Sequence, residues 1–140
     1  MAKFTIFVLS ALVLSGSAAL GASAGIPGIG SLPAGWSHVQ VNVVIKRKPH
    51  TVAYDRGRVQ SVGASSVTLK ESDGSVWTIA VGPTTKLTIN GRTASLAQVR
   101  PLEQATTMAV DGGAATFVRV RIPPALAAAF ARQAKRANRR

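Results

Sequence analysis

The stretch that decides the fold is "SVTLKESDGSVWTIAV", Ser66 to Val81, in which two alternating apolar runs meet at Asp73-Gly74. A two-residue turn there would put the apolar residues of the two runs on opposite faces. A three-residue loop ending at Gly74 instead places Leu69 opposite Trp77, and its last position suits the left-handed conformation of glycine. Because a slip of one residue moves every side chain to the other face, burial selects the longer loop. We therefore predict a hairpin whose core-facing residues are Val67, Leu69, Trp77 and Ile79.

Three strands are predicted before this hairpin. Residues 39–47, "VQVNVVIKR", alternate with a period of two until Lys48-Pro49-His50 interrupts them. Residues 51–55 then form a return strand, and residues 57–62 a third strand. Between these two strands, Asp55-Arg56-Gly57 fits a bend that the aspartate caps and the glycine permits, with the arginine as a solvated edge charge.

After the hairpin, residues 86–90 form a further strand that ends at Asn90-Gly91, the strongest short turn signal in the chain. Residues 93–101 predict about one helical turn, with Ser95 or Thr93 as its cap and Pro101 as its stop.

A last pair of strands surrounds the turn Asp111-Gly112-Gly113. Phe117 is out of phase with Val118 and Val120, so the sequence leaves open which face of the last strand is core. Short strands, close turns and one brief helix indicate an all-β barrel or sandwich, and we place this domain at residues 37–122.

The first 24 residues have the organisation of a secretory signal peptide. Lys3 gives a positive start, Phe4 to Leu14 is almost entirely apolar, and Ala22-Ser23-Ala24 fits the small-x-small cleavage pattern. We predict cleavage after Ala24, and hence a protein that is secreted or held in the cell envelope. An uncleaved segment would instead be a membrane anchor. Residues 25–36, rich in glycine and proline, are predicted as a linker.

Residues 123–140 predict a basic amphipathic helix. Pro123-Pro124 ends the sheet and suits a helix N-terminus, and the alanine-rich segment after it favours helix. Leu126 and Phe130 fall on one side with two alanines, and the cations fall on the other side. The predicted polyanion-binding residues are these cations: Arg132, Lys135, Arg136, Arg139 and Arg140.

The composition limits the partners. The 140 residues carry a formal net charge of +12 and include no cysteine, which excludes disulfides and thiolate metal sites. The charge favours an anionic polymer, an anionic lipid surface or nucleic acid. The aromatic residues do not support nucleic acid as the partner. The domain offers only Tyr54, Trp77 and Phe117 for stacking on bases, and Trp77 is assigned to the core.

Three segments, "VAYDRGRVQSVGASSVTLKESDGSVWTIAV", "TKLTINGRTASLAQVRP" and "ATFVRVR", resemble the bacterial exported family known as domain of unknown function 5666. The shared features are turn and strand elements, among them Asp55-Arg56-Gly57, Asp73-Gly74 and Asn90-Gly91. The resemblance covers about residues 39–121 and implies a small OB-like or Greek-key β-barrel without established activity. Where that family has Pro-Gly-Asp or Pro-Gly-Tyr after the short helix, this chain has Pro101-Leu102-Glu103.

No catalytic, cofactor-binding or metal-binding residues are predicted. The only histidines, His38 and His50, are interpreted as surface residues, because no nucleophile elbow or ligand spacing accompanies them. Asp73 and Asp111 each precede a glycine in a predicted turn, which explains them without a metal.

The sequence therefore predicts an exported, non-enzymatic β-barrel module of the cell envelope or exterior, with no small-molecule substrate. The alternative is a polyanion-binding protein that acts on nucleic acid or an acidic cell-wall polymer through its basic tail. For the tail itself, a solubilising role and an anchoring role on an anionic surface are both open.

Overall fold

The computed structural model describes residues 4–6, 32 and 35–139 of the chain. Eight strands between residues 38 and 121 form one mostly antiparallel sheet, to which a short N-terminal strand adds, and an α-helix follows. In chain order the elements are β1 (Phe4–Ile6), β2 (His38–Ile45), β3 (Lys48–Val62), β4 (Ser66–Glu71), β5 (Val76–Ala80), β6 (Lys86–Ile89), β7 (Arg92–Thr93), the 3-10 helix η1 (Leu96–Gln98), β8 (Gln104–Val110), β9 (Ala115–Arg121) and α1 (Pro124–Ala137).

Strand β3 is the centre of the sheet. Its 15 residues pair with β8 along one edge, and with β2 and then β4 along the other edge. The predicted bend at Asp55-Arg56-Gly57 is wrong, because these residues lie inside this continuous strand. The predicted interruption at Lys48-Pro49-His50 is likewise wrong, because these residues begin β3. The turn before them is Lys46-Arg47, with φ angles of 49° and 63°.

The mainly β class is confirmed, but the sheet does not close into the predicted barrel. Its strands follow the order β1-β2-β3-β8-β9-β6-β7, and β4 and β5 branch from β3. Among the described residues, β5 pairs with β4 alone, so no ladder joins β5 to β6. Closure would need that ladder, and alternating sequence patterns do not specify it.

The hairpin of β4 and β5 has the predicted register. Leu69 lies opposite Trp77 and Val67 opposite Ile79, and Gly74 has a φ of 89° in the last loop position. Val67, Leu69 and Ile79 are buried, as expected, but Trp77 is 41% exposed. The prediction that Trp77 belongs to the core is therefore wrong.

Two apolar clusters lie on opposite faces of the sheet. Tyr54 and Val59 of β3 differ by an odd number of positions, so they point to opposite faces, and each belongs to a different cluster. On β9, Val118 joins the larger cluster and Phe117 packs on the smaller one. The phase conflict in this strand is thus resolved, because both of its faces carry apolar contacts.

Strands on both sides of the gap between β5 and β6 contribute to the larger cluster, together with Val99 after η1. Its buried members are Val59, Val67, Leu69, Ile79, Leu87, Val99, Ala105, Ala115, Val118 and Val120. The smaller cluster consists of Val39, Val41, Val52 and Tyr54, with Leu32 and Trp36 from the predicted linker packed against it.

The predicted helical turn is the 3-10 helix η1. Gln98 Oε1 accepts a hydrogen bond of 2.8 Å from the backbone N–H of Ser95, as a capping box requires. The backbone then turns at Leu102, which has a left-handed φ of 73°. Two backbone hydrogen bonds fix this turn on β3, from Leu102 N to Val59 O and from Val59 N to Glu103 O.

The ends of the chain are described in part. The predicted signal peptide lies outside the described residues except for β1, which pairs in parallel with residues 39–41 of β2. Helix α1 begins at Pro124, as predicted, and contains no buried residue. Its main described contact with the domain places the guanidinium of Arg100 5.3 Å from the centre of the Phe130 ring. Within the described part of the chain, no helix has the length and apolar character needed to cross a membrane.

Candidate functional site

The cations predicted to bind polyanions lie on α1. Arg132, Lys135, Arg136 and Arg139 are exposed, and Arg140 lies outside the described residues. Lys135 and Arg136 stand in the last turns of the helix, where positive charge favours the helix dipole. The helix therefore presents its charge to solvent, as the sequence predicted.

A second group of cations, which sequence analysis did not bring together, lies on one face of the sheet. Arg58 of β3 is paired with Lys70 of β4 on one side and with Gln104 of β8 on the other, and Gln104 is paired with Arg121 of β9. Directly cross-strand partners point to the same face. The next row of the same face runs from Arg56 through Thr106 to Arg119. We call this group the basic sheet face: Arg56, Arg58, Lys70, Arg119 and Arg121.

Two arginines of the basic sheet face lie against aromatic rings. The guanidinium carbon of Arg56 is 5.7 Å from the centre of the Trp36 ring, and that of Arg119 is 5.5 Å from the centre of the Phe117 ring. Cation–π contacts of this length hold the side chains in defined positions. Arg56 is thus half-buried in a central strand, and its interpretation as a solvated edge charge is wrong.

The distribution of acidic residues makes the surface more basic than the composition alone indicates. Three of the five carboxylates are buried, namely Asp55, Glu71 and Glu103. Among the described residues, every lysine and arginine except Arg56 is exposed. The negative charge is therefore mostly inside and the positive charge outside.

Two of the buried carboxylates meet a histidine on the opposite face of β3. His38 is the first residue of β2 and pairs with Asp55, and Glu71 is the last residue of β4 and pairs with Gly57. Since β2 and β4 lie end to end along the same edge of β3, the three side chains meet at the junction of the two strands. One ligand atom from each lies within 4.8 Å of the other two.

Glycine at position 57 allows this junction to form. A Cβ atom there would lie 2.7 Å from the backbone oxygen of Lys70, so only glycine permits such a close approach of β4 to β3. The glycine that was interpreted as part of a bend therefore permits strand contact beside the cluster.

The polar groups of this cluster are incompletely satisfied. His38 Nδ1 and Asp55 Oδ1 are 2.6 Å apart, which is a hydrogen bond. Glu71 is 3% exposed, yet neither of its carboxylate oxygens has a hydrogen-bond partner of good geometry. The buried hydroxyl of Thr107, which is cross-strand from Asp55, also lacks a partner.

The environment of Glu71 disfavours its ionised form. Burial, and next the negative charge of Asp55, raise the pKa of Glu71 from 4.5 to about 6. The Ser37 hydroxyl and His38 act in the opposite direction. This is the expected response of a carboxylate that is buried beside another carboxylate.

Trp77 covers the histidine of the cluster. The His38 and Trp77 rings stack with their centres 5.6 Å apart and their planes at 15°. The His38 side chain is only 20% exposed, so its interpretation as a surface residue is wrong. Its Nδ1 is hydrogen-bonded to Asp55, and Trp77 stacks on one face of its ring.

His50 provides a useful contrast. Its Nδ1 lies 2.7 Å from Oδ2 of Asp111, and the Asp111 side chain is half-exposed. Asp111 also accepts a hydrogen bond of 2.8 Å from the backbone N–H of Thr51, and it stands in the predicted turn with a φ of 52°. This pair is a turn contact, and no third carboxylate or histidine joins it among the described residues.

Comparison of the chain with family models, with curated proteins and with solved structures gave no match. Function is therefore inferred from the residues and their geometry.

Proposed function

We propose that this protein is an exported, non-enzymatic β-sheet module that binds a phosphate-rich polyanion across its basic sheet face. The observation that carries the proposal is the exposed like-charge pair of Arg58 and Lys70, directly opposite each other across β3 and β4. Like charges in this position destabilise a sheet. A bound polyanion would neutralise the repulsion, whereas salt only screens it.

The remaining cations of this face reinforce the effect. Strands lie about 4.8 Å apart, so Arg121, two strands from Arg58, lies about one Debye length away at 0.1 M salt. Arg56 and Arg119 occupy the adjacent row of the same face. The five cations are therefore close enough for their electrostatic potentials to add.

The side-chain types favour phosphate as the recognised group. Four of the five residues are arginines, and the guanidinium group can donate two parallel hydrogen bonds to a phosphate. Trp36 and Phe117 already lie against Arg56 and Arg119, so they hold cations rather than offering free stacking surfaces. Recognition should therefore depend on phosphate and not on bases.

The cations of α1 form a second contact in this proposal. A helix with exposed positive charge and no buried residue can follow an extended polymer without disturbing the domain. We expect it to add affinity through counterion release.

Export and family membership belong to the same proposal. They are supported by the signal-peptide pattern of residues 1–24 and by the resemblance to domain of unknown function 5666. An OB-like arrangement is supported by the larger apolar cluster, to which β3, β4, β5, β6, β8 and β9 all contribute. N-terminal sequencing of the exported protein should give Gly25 as the first residue. Recovery of intact Met1 from the membrane fraction would contradict cleavage.

Binding is tested with inorganic polyphosphate and with a single-stranded oligonucleotide of matched charge, titrated over a range of salt. The sheet variant replaces Arg58, Lys70 and Arg121 with glutamine. The helix variant replaces Arg132, Lys135 and Arg136 with glutamine. The matched control makes the same change of charge at the β2–β3 turn, at Lys46, Arg47 and Lys48.

We expect the sheet variant to lose the most affinity and the control the least. Each phosphate contact removed should lower the magnitude of the slope of log affinity against log salt by about 0.7 for the single-stranded oligonucleotide. Polyphosphate should bind at least as well as the oligonucleotide. Equal losses in all three variants would show that net charge alone is responsible, and the proposal would fail.

A further inference from the structure

We propose that His38, Asp55 and Glu71 form a binding site for a divalent transition-metal cation, with Zn²⁺ as the best fit. The site is independent of the polyanion surface, because it occupies the opposite face of β3 from Arg56 and Arg58. It has one imidazole and two carboxylates as ligands.

The distances fit such a cation. Three atoms within 4.8 Å of one another have a common centre less than about 3 Å from each of them. Zinc requires about 2.0–2.2 Å to nitrogen and oxygen ligands. Side-chain shifts of about 1 Å therefore complete the coordination, and the backbone positions of β2, β3 and β4 remain unchanged.

The unpartnered groups point to a missing ligand. Buried polar groups nearly always have hydrogen-bond partners, yet neither oxygen of Glu71 has one of good geometry, and the Ser37 hydroxyl is its nearest polar neighbour. The neighbouring hydroxyl of Thr107 also lacks a partner. A cation would satisfy Glu71 directly.

Local electrostatics favour a cation even in this basic protein. Asp55 and Glu71 are both buried, and one oxygen of each lies within 4.8 Å of the other. Two buried carboxylates without a lysine or arginine between them repel each other. A divalent cation converts that repulsion into attraction.

The donor types select among cations. Calcium takes six to eight oxygen ligands, and magnesium requires near-octahedral oxygen coordination. One imidazole with two carboxylates instead suits zinc, which is commonly held by three protein ligands with water in the fourth position. Binding requires a neutral imidazole whose proton is on the nitrogen that does not face the metal, and the coordinating nitrogen then takes the metal as its partner.

The test uses the full chain after treatment with a chelator. Co²⁺ is titrated first, because its visible absorption reports four-coordinate geometry, and Zn²⁺ is then used to displace it. Trp77 fluorescence gives a second signal, since this ring stacks on His38. We expect one cation per chain, with Ca²⁺ and Mg²⁺ unable to compete.

The decisive variant is Glu71→Gln, which keeps the shape of the side chain and removes its buried charge, so the fold should be retained. We expect it to weaken Zn²⁺ binding by more than about 100-fold, beyond the 10–100-fold loss that follows removal of an outer-shell partner.

The matched control is His50→Ala, which removes the other histidine–carboxylate pair of the domain. It should leave Zn²⁺ affinity and the Co²⁺ spectrum unchanged. The proposal is overturned if the native chain shows no saturable binding, if Glu71→Gln binds as tightly as the native chain, or if His50→Ala loses as much affinity as Glu71→Gln. None of these outcomes bears on the polyanion proposal, whose residues lie elsewhere.

Discussion

Arg58 on β3 and Lys70 on β4 are directly opposite each other, and both are exposed. The pair is an unfavourable contact in the isolated domain, since like charges in this position destabilise a sheet. Its placement beside Arg121 and Arg56 connects this locally unfavourable contact to the surface that we propose to bind anions.

Lys70→Glu should therefore separate stability from binding. The change turns a repulsive pair into an attractive one, so the free energy of unfolding should rise by about 0.2–1 kcal/mol. Polyphosphate affinity should fall at the same time. The control is Lys48→Glu, where the same charge change faces the apolar Ile45 instead of a cation. The free energy of unfolding is measured by urea denaturation. If it rises as much in the control variant, then the change in net charge, and not the Arg58 contact, is responsible.

Leu69 and Trp77, which are paired across the β4–β5 hairpin, should differ in their contribution to stability. Leu69 is completely buried and Trp77 is 41% exposed, although they are cross-strand partners. Leu69→Ala should lower the free energy of unfolding by about 2–5 kcal/mol. Trp77→Ala should lower it by less than about 2 kcal/mol, because full burial of a large side chain contributes only about 1.5–3 kcal/mol. Chemical denaturation of both variants decides the point, and a larger loss for Trp77→Ala would place this ring in the core.

Features set by neighbouring residues could be predicted from the sequence. The three-residue loop ending at Gly74, the Asn90-Gly91 turn and the short helical turn after Ser95 each follow from a few adjacent side chains. The register of β4 with β5 could be predicted because a slip of one residue would have moved Val67 and Leu69 out of alignment with the apolar residues of β5.

Features that depend on contacts between distant residues could not be predicted from the sequence. The His38–Asp55–Glu71 cluster combines residues 17 and 16 positions apart, from three strands, and no short motif marks it. The sequence analysis broke β3 at Asp55 and Arg56 because these residues are polar. Their partners, His38 for Asp55 and Trp36 for Arg56, are distant in the sequence and lie on opposite faces of the sheet. An open sheet and a closed barrel have the same alternating patterns and differ only in a ladder between β5 and β6.

Leu102→Gly should stabilise the protein. Leu102 has a φ of 73°, which strains the backbone of a residue with a Cβ atom. It is also 55% exposed, so its side chain contributes little packing energy. A left-handed conformation costs a residue with a Cβ roughly 1–2 kcal/mol, and part of this is offset by the greater unfolded-state entropy of glycine. We expect a gain of about 1 kcal/mol in chemical denaturation.

Val76→Gly is the control for that change. Val76 is similarly exposed at 52%, but it lies in a regular strand, so glycine there should cost about 0.5–1 kcal/mol. Destabilisation of both variants would mean that the Leu102 side chain contributes packing that outweighs its backbone strain.

The Asp111 turn should contribute to acid stability. The backbone N–H of Thr51, and next the His50 side chain, hold the pKa of Asp111 below its ordinary value. A carboxylate with a lowered pKa in the folded state stabilises the fold above its unfolded pKa of about 3.9, and this contribution disappears as the pH falls through the folded pKa. Asp111→Asn removes the charge and tolerates the left-handed φ. The difference in melting temperature between the native chain and this variant should be present near pH 5 and vanish at lower pH, and a constant difference would contradict the assignment.

A chain that begins at Gly25 should fold with little loss of stability. Removal of the predicted signal peptide also removes β1, whose described contact is its parallel pairing with residues 39–41 of β2. Val39 and Val41 of that strand remain paired with β3 and packed on Tyr54, so the smaller apolar cluster should persist. Circular dichroism and the near-ultraviolet signal of Trp36, which packs on the same cluster, should match those of the full chain. Loss of the Trp36 signal would mean that β1 is part of the folded domain, and the predicted cleavage after Ala24 would then conflict with the fold.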